Sequence, residues 1–281
     1  MRHFSRRTFL ATMATASAGA SGLCFYACGV EPHWVEFVEH VLPIPGLPAA
    51  LTGKLLVQLS DIHIGPRVND DYVREVCARV QERGADLVVY TGDFICHHDG
   101  IYAQAARMFP VLPRGRLATV GVLGNHDYGP GWSRPDVADR VAAMLADQGV
   151  RMLRNERIHV AGLEVLGVDD LWARRSRIAD TLAQGQPRSP GLVLCHNPDA
   201  VDGSGWGDYA GWILSGHTHG GQCRPPFLPP PLLPVKNQRY TAGVFELDAR
   251  RTLYINRGVG HLLQARFNVR PEVTVFTLRP G

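Results

Sequence analysis

From Lys54 to the end of the chain, short apolar runs alternate first with stretches of helical period and then with one another. KLLVQLS (54–60) reads as a buried strand, a continuous apolar run of strand length. Asn69 then caps a helix over DDYVREVCARVQERG, which Gly84 ends. DLVVYTG (86–92) is the next strand, a helix covers about 101–109, and LATVGVLG (117–124) is a third strand. Pro135 opens another helical stretch that runs to Gly149. Beyond it the strand patterns dominate: RIHVAG, LEVLGV, GLVLCH (191–196), GWILSGH (211–217), AGVFELD (242–248), TLYINRG (252–258) and VTVFTL (273–278). Strand–helix alternation followed by a strand-rich half predicts an α/β protein, two sheets packed together with helices outside. PPFLPPPLLP (225–234) is an apolar Pro-rich loop that cannot be a central strand.

Composition adds limits. The 281 residues are 45% hydrophobic and 20% charged, enough for one large core or two small ones. A net charge of +3 carries no nucleic-acid footprint. The six cysteines form no paired framework, and Cys77, Cys96 and Cys195 lie in or beside apolar runs, which reads as buried thiols. The first 30 residues have the parts of an export signal: basic residues, then a mild apolar stretch, with no acidic residue until Glu31. SRRTFL, with Arg6 beside Arg7, resembles the twin-arginine signal, so the export machinery for folded proteins is an expected partner. Left uncut, residues 9–30 are long enough to anchor the chain on the outer face of a membrane; cut, they leave the protein free in the exported compartment. Residues 31–53 read as a tether, and the globular domain as 54–281.

The chemistry sits where the apolar runs stop. Successive strands run into Asp61 and His63, into Asp93, into Asn125, His126 and Asp127, into His196, and into His217 and His219. In open α/β sheets ligands bind outside the carboxyl ends of strands. Residues at i and i+2 of an extended segment share a face, so Asp61 with His63, and His217 with His219, can address one point. Carboxylate, imidazole and amide donors suit Mn, Fe, Zn or Ni. Glycines at 92, 124, 216, 220 and 221 let loops and backbone crowd a ligand.

In that order, DIH, GDF, GNHD, a lone strand-end histidine and GHTH resemble the calcineurin-like metallophosphoesterases over about residues 54 to 280. HNPD, GHTHGGQ, RGVG (257–260) and the leader resemble the exported, membrane-associated, phosphodiesterase-like branch. The resemblance implies a four-layer α/β/β/α sandwich of two mixed sheets with flanking helices. It implies two divalent or transition metal ions. One would be held by Asp61, His63, Asp93 and His219, the other by Asp93 as a bridge with Asn125, His196 and His217. His126 would contact the phosphoryl group or protonate the leaving oxygen, and Asp127 would hydrogen-bond His126 and fix its tautomer. The implied reaction is hydrolysis of a phosphoester by metal-activated hydroxide: a phosphodiester, a phospholipid or a lipid-linked pyrophosphate. A hydrolase of soluble phosphoesters and a non-catalytic binding module on the same scaffold are the competing readings. Arg257 and Arg266 are candidates for the non-scissile part of a phosphate, and His97 and His98 read as a solvated loop. The Pro-rich loop either wraps the core or meets lipid.

Overall fold

The computed structural model describes residues 6–185 and 190–281; Ser5 of the leader motif lies outside them. The chain opens with α1 (Arg6–Phe25), which continues through one π-helical turn at Tyr26–Val30. Every side chain described from residue 9 to 25 is exposed. The first sheet is assembled from β1 (Glu36–Ile44), β2 (Leu55–Leu59), β3 (Leu87–Thr91), β4 (Ala118–Val122), the two-residue β5 (Arg151–Met152) and, from the end of the chain, a nine-residue strand described below. Between them run α2 (Asp70–Glu82), α3 (Ile101–Met108) and α4 (Pro135–Asp147). The second sheet takes β6 (Glu156–Val160), β7 (Leu163–Val168), β8 (Gly191–Cys195), β9 (Gly211–Ser215), β10 (Gly243–Glu246) and β11 (Arg251–Ile255), with α5 (Ile178–Ala183) following β7. The last strand, β12 (Glu272–Pro280), returns to the first sheet.

The orders are β1-β12-β2-β3-β4-β5 and β10-β11-β9-β8-β7-β6. Strands β2 to β5 are parallel, as are β7, β8, β9 and β11, whereas β12 with β2, β10 with β11 and β6 with β7 are antiparallel. Both sheets are therefore mixed, as expected.

The near-continuous apolar runs are explained by burial on both faces. Leu56, Leu87, Val89, Leu192 and Leu194 point into the core between the sheets. Their neighbours Val57, Val88 and Tyr90 turn outward onto α2, α3 and α4, and Val193 and Cys195 onto the cluster beside α5. The result is helix, sheet, sheet, helix. Asn69 caps α2 as the sequence predicts: its Oδ1 accepts from Asp71 N (2.8 Å) and Tyr72 N (3.1 Å). One buried polar group crosses between the layers: Gln58 Nε2 donates to Thr91 Oγ1 (3.0 Å) in the first sheet and to Ser215 O (2.9 Å) in the second. It ties β2, β3 and β9 together at the ends from which the site loops leave.

The structure moves the domain boundary. Residues 31–53, read from the sequence as a tether, contain β1, which pairs parallel with β12 from Glu36↔Glu272 to Ile44↔Pro280. Glu31 is buried and accepts from Val269 N (2.6 Å), and Leu42 and Ile44 enter the inter-sheet core. The prolines and charges that suggest a linker are tolerated because β1 is an edge strand, where a missing N–H costs no ladder bond.

Candidate metal centre

Loops after β2, β3 and β4 of one sheet and after β8 and β9 of the other meet at one end of the sandwich. They are laced by backbone bonds: Asp61 N to Gly92 O (2.9 Å), His63 N to Asp93 O (3.0 Å), Gly216 N to His196 O (3.0 Å). Glycine is required where these loops touch. A Cβ on Gly124 would collide with the Asp93 carboxylate, and one on Gly216 with Ser60 and Asp61.

Two buried triplets result. Asp61, His63 and His219 form one; Asp93, His196 and His217 form the other. In the first, His63 Nε2 lies 3.1 Å from His219 Nε2 and 3.9 Å from Asp61 Oδ1, and His219 Nε2 lies 3.3 Å from Asp61 Oδ1. In the second, His196 Nε2 lies 3.3 Å from Asp93 Oδ2, 3.1 Å from His217 Nδ1 and 3.2 Å from Asn125 Oδ1. Asp93 Oδ2 also stands 3.6 Å from His63 Nε2, so one carboxylate oxygen lies between the triplets. All seven sequence-predicted donors are thus brought together.

The i, i+2 spacing works for a reason other than the expected one. Asp61, His63, Asp93, His217 and His219 all have positive φ, between 50° and 72°. They are left-handed turn residues, not extended strand. Side chains rarely tolerate this conformation, and it recurs where a site dictates geometry.

The donor set fits cations. Ring nitrogens about 3.0–3.4 Å apart are what a tetrahedral or octahedral shell gives when each bond is about 2.1 Å, and two imidazole pairs stand 3.1 Å apart. Asn125 Nδ2, fully buried, has no hydrogen-bond partner, which leaves its amide oriented by Oδ1 alone. His196 Nδ1 donates to Thr91 O at 2.7 Å, which fixes the ring with Nε2 toward the site.

Burial governs the charges. It pushes the Asp61 carboxyl up to about 6 and the His63 and His217 rings down to about 3. Burial also opposes charge on Asp93 and His196, but their mutual attraction outweighs it. Asp93, aided by His126, is held well below the usual carboxylate range, and His196 is lifted to about 10.

His126 lies at the rim, half-buried, its ring centroid 5.0 Å from that of His63. Burial disfavours its charge, yet Asp93 and a hydrogen bond with Cys96 push it up to about 9. Asp127 does not serve it. Its oxygens accept from the backbone N–H groups of Phe94 (2.9 Å), Ile95 (3.1 Å) and Gly124 (2.9 Å). Asp127 is a brace between the loops after β3 and β4, because a carboxylate directly after His126 is aimed back at its own turn. The arginines also differ from expectation. Arg257 is paired with Glu272 (2.5 Å) and Glu36 (2.9 Å). Arg266 is fully buried, donates to the carbonyls of Arg257, Gly258, Gly260 and Val269, and brings Nη2 to 3.4 Å from His219 Nδ1, so it stands behind a donor of the first cluster, its Nη groups taken up by the protein. His98 is bonded to Asp99 O and Gln104 Oε1 and holds its loop.

Three further residues escape the sequence reading. Trp172 stands edge-on to His217 with centroids 4.4 Å apart, and Trp132 stacks on Trp172 at 4.7 Å. Their positions in GPGW and DDLW carry no local signal. Asp170, just past β7, is fully buried with Oδ2 unpartnered, and burial pushes it up to about 6 against His196. It stands at a strand end, so the rule that found the other donors also applies to it.

Paired sheets with helices outside, and two histidine–carboxylate clusters at their joined ends, define a metal-dependent hydrolase of the sandwich type. The sequence agrees: residues 55–221 match the calcineurin-like phosphoesterase family, and the chain belongs to it. It is 33% identical to the metallophosphoesterase YkuE of Bacillus subtilis, covering 99% of both chains. It is 33% identical to the phosphodiesterase YaeI of Escherichia coli, covering 98% of this chain and 99% of that one. It is 24% identical to the UDP-2,3-diacylglucosamine pyrophosphatase LpxG of Chlamydia muridarum, covering 89% and 91%.

Proposed function

We propose that the protein is an exported, membrane-anchored hydrolase that cleaves a phosphodiester or a lipid-linked phosphoester at a two-cation centre. Asp61, His63 and His219 hold one cation, Asn125, His196 and His217 the other, and Asp93 both. The observation that carries this reading is Asp93 Oδ2, 3.6 Å from His63 Nε2 and 3.3 Å from His196 Nε2. When bound, two divalent cations make a nucleophilic oxygen available at neutral pH and offset the charge of the phosphoryl oxygens. Asp61 and Asp93 cancel half of the four positive charges, so the site stays attractive to an anionic ester. His126 faces the rim beside His63, where it is placed to give a proton to the leaving oxygen. The full donor set together with His126 argues against a non-catalytic module.

Two relatives support a bond at phosphorus as the target: YaeI is a phosphodiesterase, and LpxG a pyrophosphatase acting on a diacylated sugar nucleotide. The location rests on Phe9–His33, with mean hydropathy 1.2, long and apolar enough to cross a membrane. Arg6 and Arg7 at its start support twin-arginine export.

Elemental analysis of purified protein, followed by hydrolysis of bis(p-nitrophenyl) phosphate, tests the reading. We expect two equivalents of a divalent metal and metal-dependent turnover. His126→Gln should keep the metal and lower kcat by about 10²–10⁴-fold. Protein free of metal and inert on every phosphoester would end the proposal. In cell fractions, changing Arg6 and Arg7 together to Lys should leave the protein on the cytoplasmic side; unchanged export would remove the leader assignment.

A further inference from the structure

We propose that an apolar cavity sharing a wall with the metal centre is a subsite for one acyl chain of a membrane lipid. This rests on the phosphoester reading above. The cavity has a volume of about 320 Å³, and one side of it is His219, a donor of the first cluster. Its other walls are mostly apolar: Leu232 and Leu233 from the Pro-rich loop, and Leu262, Leu263 and Ala265 from the segment after β11, with Thr218, Gln222 and Cys223 beside them. A chain seated there lies against His219, beside the first cluster. No Lys, Arg, Asp or Glu lines the cavity, and the polar side chains Thr218 and Gln222 are bonded within the protein, to Thr241 O and to Leu262 N, Leu263 O and Ala265 O, so an apolar chain fits these walls better than a sugar or a nucleotide.

The cavity lies at the root of the apolar helix. Leu263 and Ala265 flank Gln264, whose Nε2 donates to Cys28 O (3.2 Å), and Arg266 N donates to Ala27 O (2.8 Å). Ala27 and Cys28 are in the turn that continues α1, so the root of the apolar helix is bonded to the cavity's rim. Around that rim large apolar side chains stand in the open: Leu232 is 73% exposed, Leu263 58% and, further along the Pro-rich loop, Phe227 is wholly exposed. Contiguous exposed apolar groups mark a binding face, and here a membrane-crossing helix leaves beside them. The prolines explain how the loop presents leucines outward without pairing into a sheet. The occupant that satisfies both observations is a lipid drawn from the membrane that α1 enters.

The test uses the full-length protein in detergent and a series of p-nitrophenyl alkyl phosphodiesters with methyl, butyl and hexyl groups, each below its aggregation concentration. Each methylene moved from water into an apolar wall is worth roughly three- to fourfold. We expect kcat/KM to rise at least about tenfold from methyl to hexyl, since only part of the chain is enclosed. Leu263→Asp, with its metal content verified, should cut that gain to under twofold. Equal kcat/KM for all three esters overturns the acyl subsite and leaves the hydrolase standing. A chain-length gain that survives Leu263→Asp also overturns it, because the chain then binds elsewhere. Hydrolysis of none of the esters by metal-loaded protein counts against the phosphoester reading itself.

Discussion

Asp61, His63 and His219 on one side, and Asp93, His196, His217 and Asn125 on the other, use the same donor chemistry against different backgrounds. Asp61 is already braced: it accepts from Ser60 Oγ (2.6 Å) and from His217 N (2.9 and 3.1 Å). Burial strips charge from both histidines beside it, so at neutral pH this half presents an anion and two neutral imidazoles. The other half holds a proton, because Asp93 and His196 form a buried ion pair. Their walls differ as well: an apolar cavity borders His219, and Trp172 borders His217. The contrast teaches that one half accepts a cation as built, whereas the other must exchange a proton for it. Asp93 couples them, because its remaining oxygen, Oδ1, is occupied by His126 N at 2.8 Å.

The largest effect should come from breaking that coupling. Asp93→Asn removes the charge both halves share. Metal content should fall below one equivalent, and turnover of the aryl diester by at least about a thousandfold, above the 10²–10³ that losing a single transition-state donor costs. Asp61→Asn, by contrast, should leave one cation in place. Two retained cations and normal turnover in Asp93→Asn would show that the halves are independent.

Acid separates the halves next. In chelator-treated protein, Asp61 is ionised above about 6, so the affinity of its half is flat at neutral pH and falls as pH drops below that value. His196 stays protonated up to about 10, so the second cation displaces one proton across the neutral range. Its affinity should therefore rise about tenfold per pH unit between about pH 6.5 and 8.5. Calorimetric titration with Mn²⁺ in buffers of different ionisation enthalpy reads this directly: a tight event with no proton release, then a weaker one with about one. Two events with the same pH slope would erase the distinction.

Much of this site is legible in the sequence because it follows a positional rule. The apolar runs locate the strands, and the polar residues that end them locate the donors. That rule brings in all seven candidate donors, and it extends to Asp170. It is silent where placement depends on packing from another part of the chain. Nothing near Asp127 says that three backbone amides will claim its oxygens. Arg266 reads as a phosphate ligand until its carbonyl partners 6 to 9 residues upstream are seen. β1 is masked because its edge position permits Glu36, Glu39 and Pro43, the features that otherwise mark a linker. The left-handed backbone at five donors is equally hidden, since Asp and His carry no glycine-like signal.

The smallest expected effect concerns the wall that no pattern announces. Trp172 meets His217 edge-on at 4.4 Å and supports Trp132, whose ring lies 6.3 Å from that of His126 and is a third exposed. The pair therefore reaches from His217 in the second cluster to His126 at the rim. An aromatic face contributes about 0.5–1.5 kcal/mol to another ring beyond the area it buries. Trp172→Ala should then raise KM for an aryl diester about three- to tenfold, with kcat within about twofold and the metal retained. Trp172→Phe, which keeps a face, should recover most of the loss. The outcome decides what the wall is for. A split confined to KM means that Trp172 receives substrate and that His217 is held by its own strained turn. Loss of one cation on Trp172→Ala would mean instead that the ring steadies His217. Cluster two would then be the weaker half by construction, with its donor dependent on a neighbour that cluster one does not need.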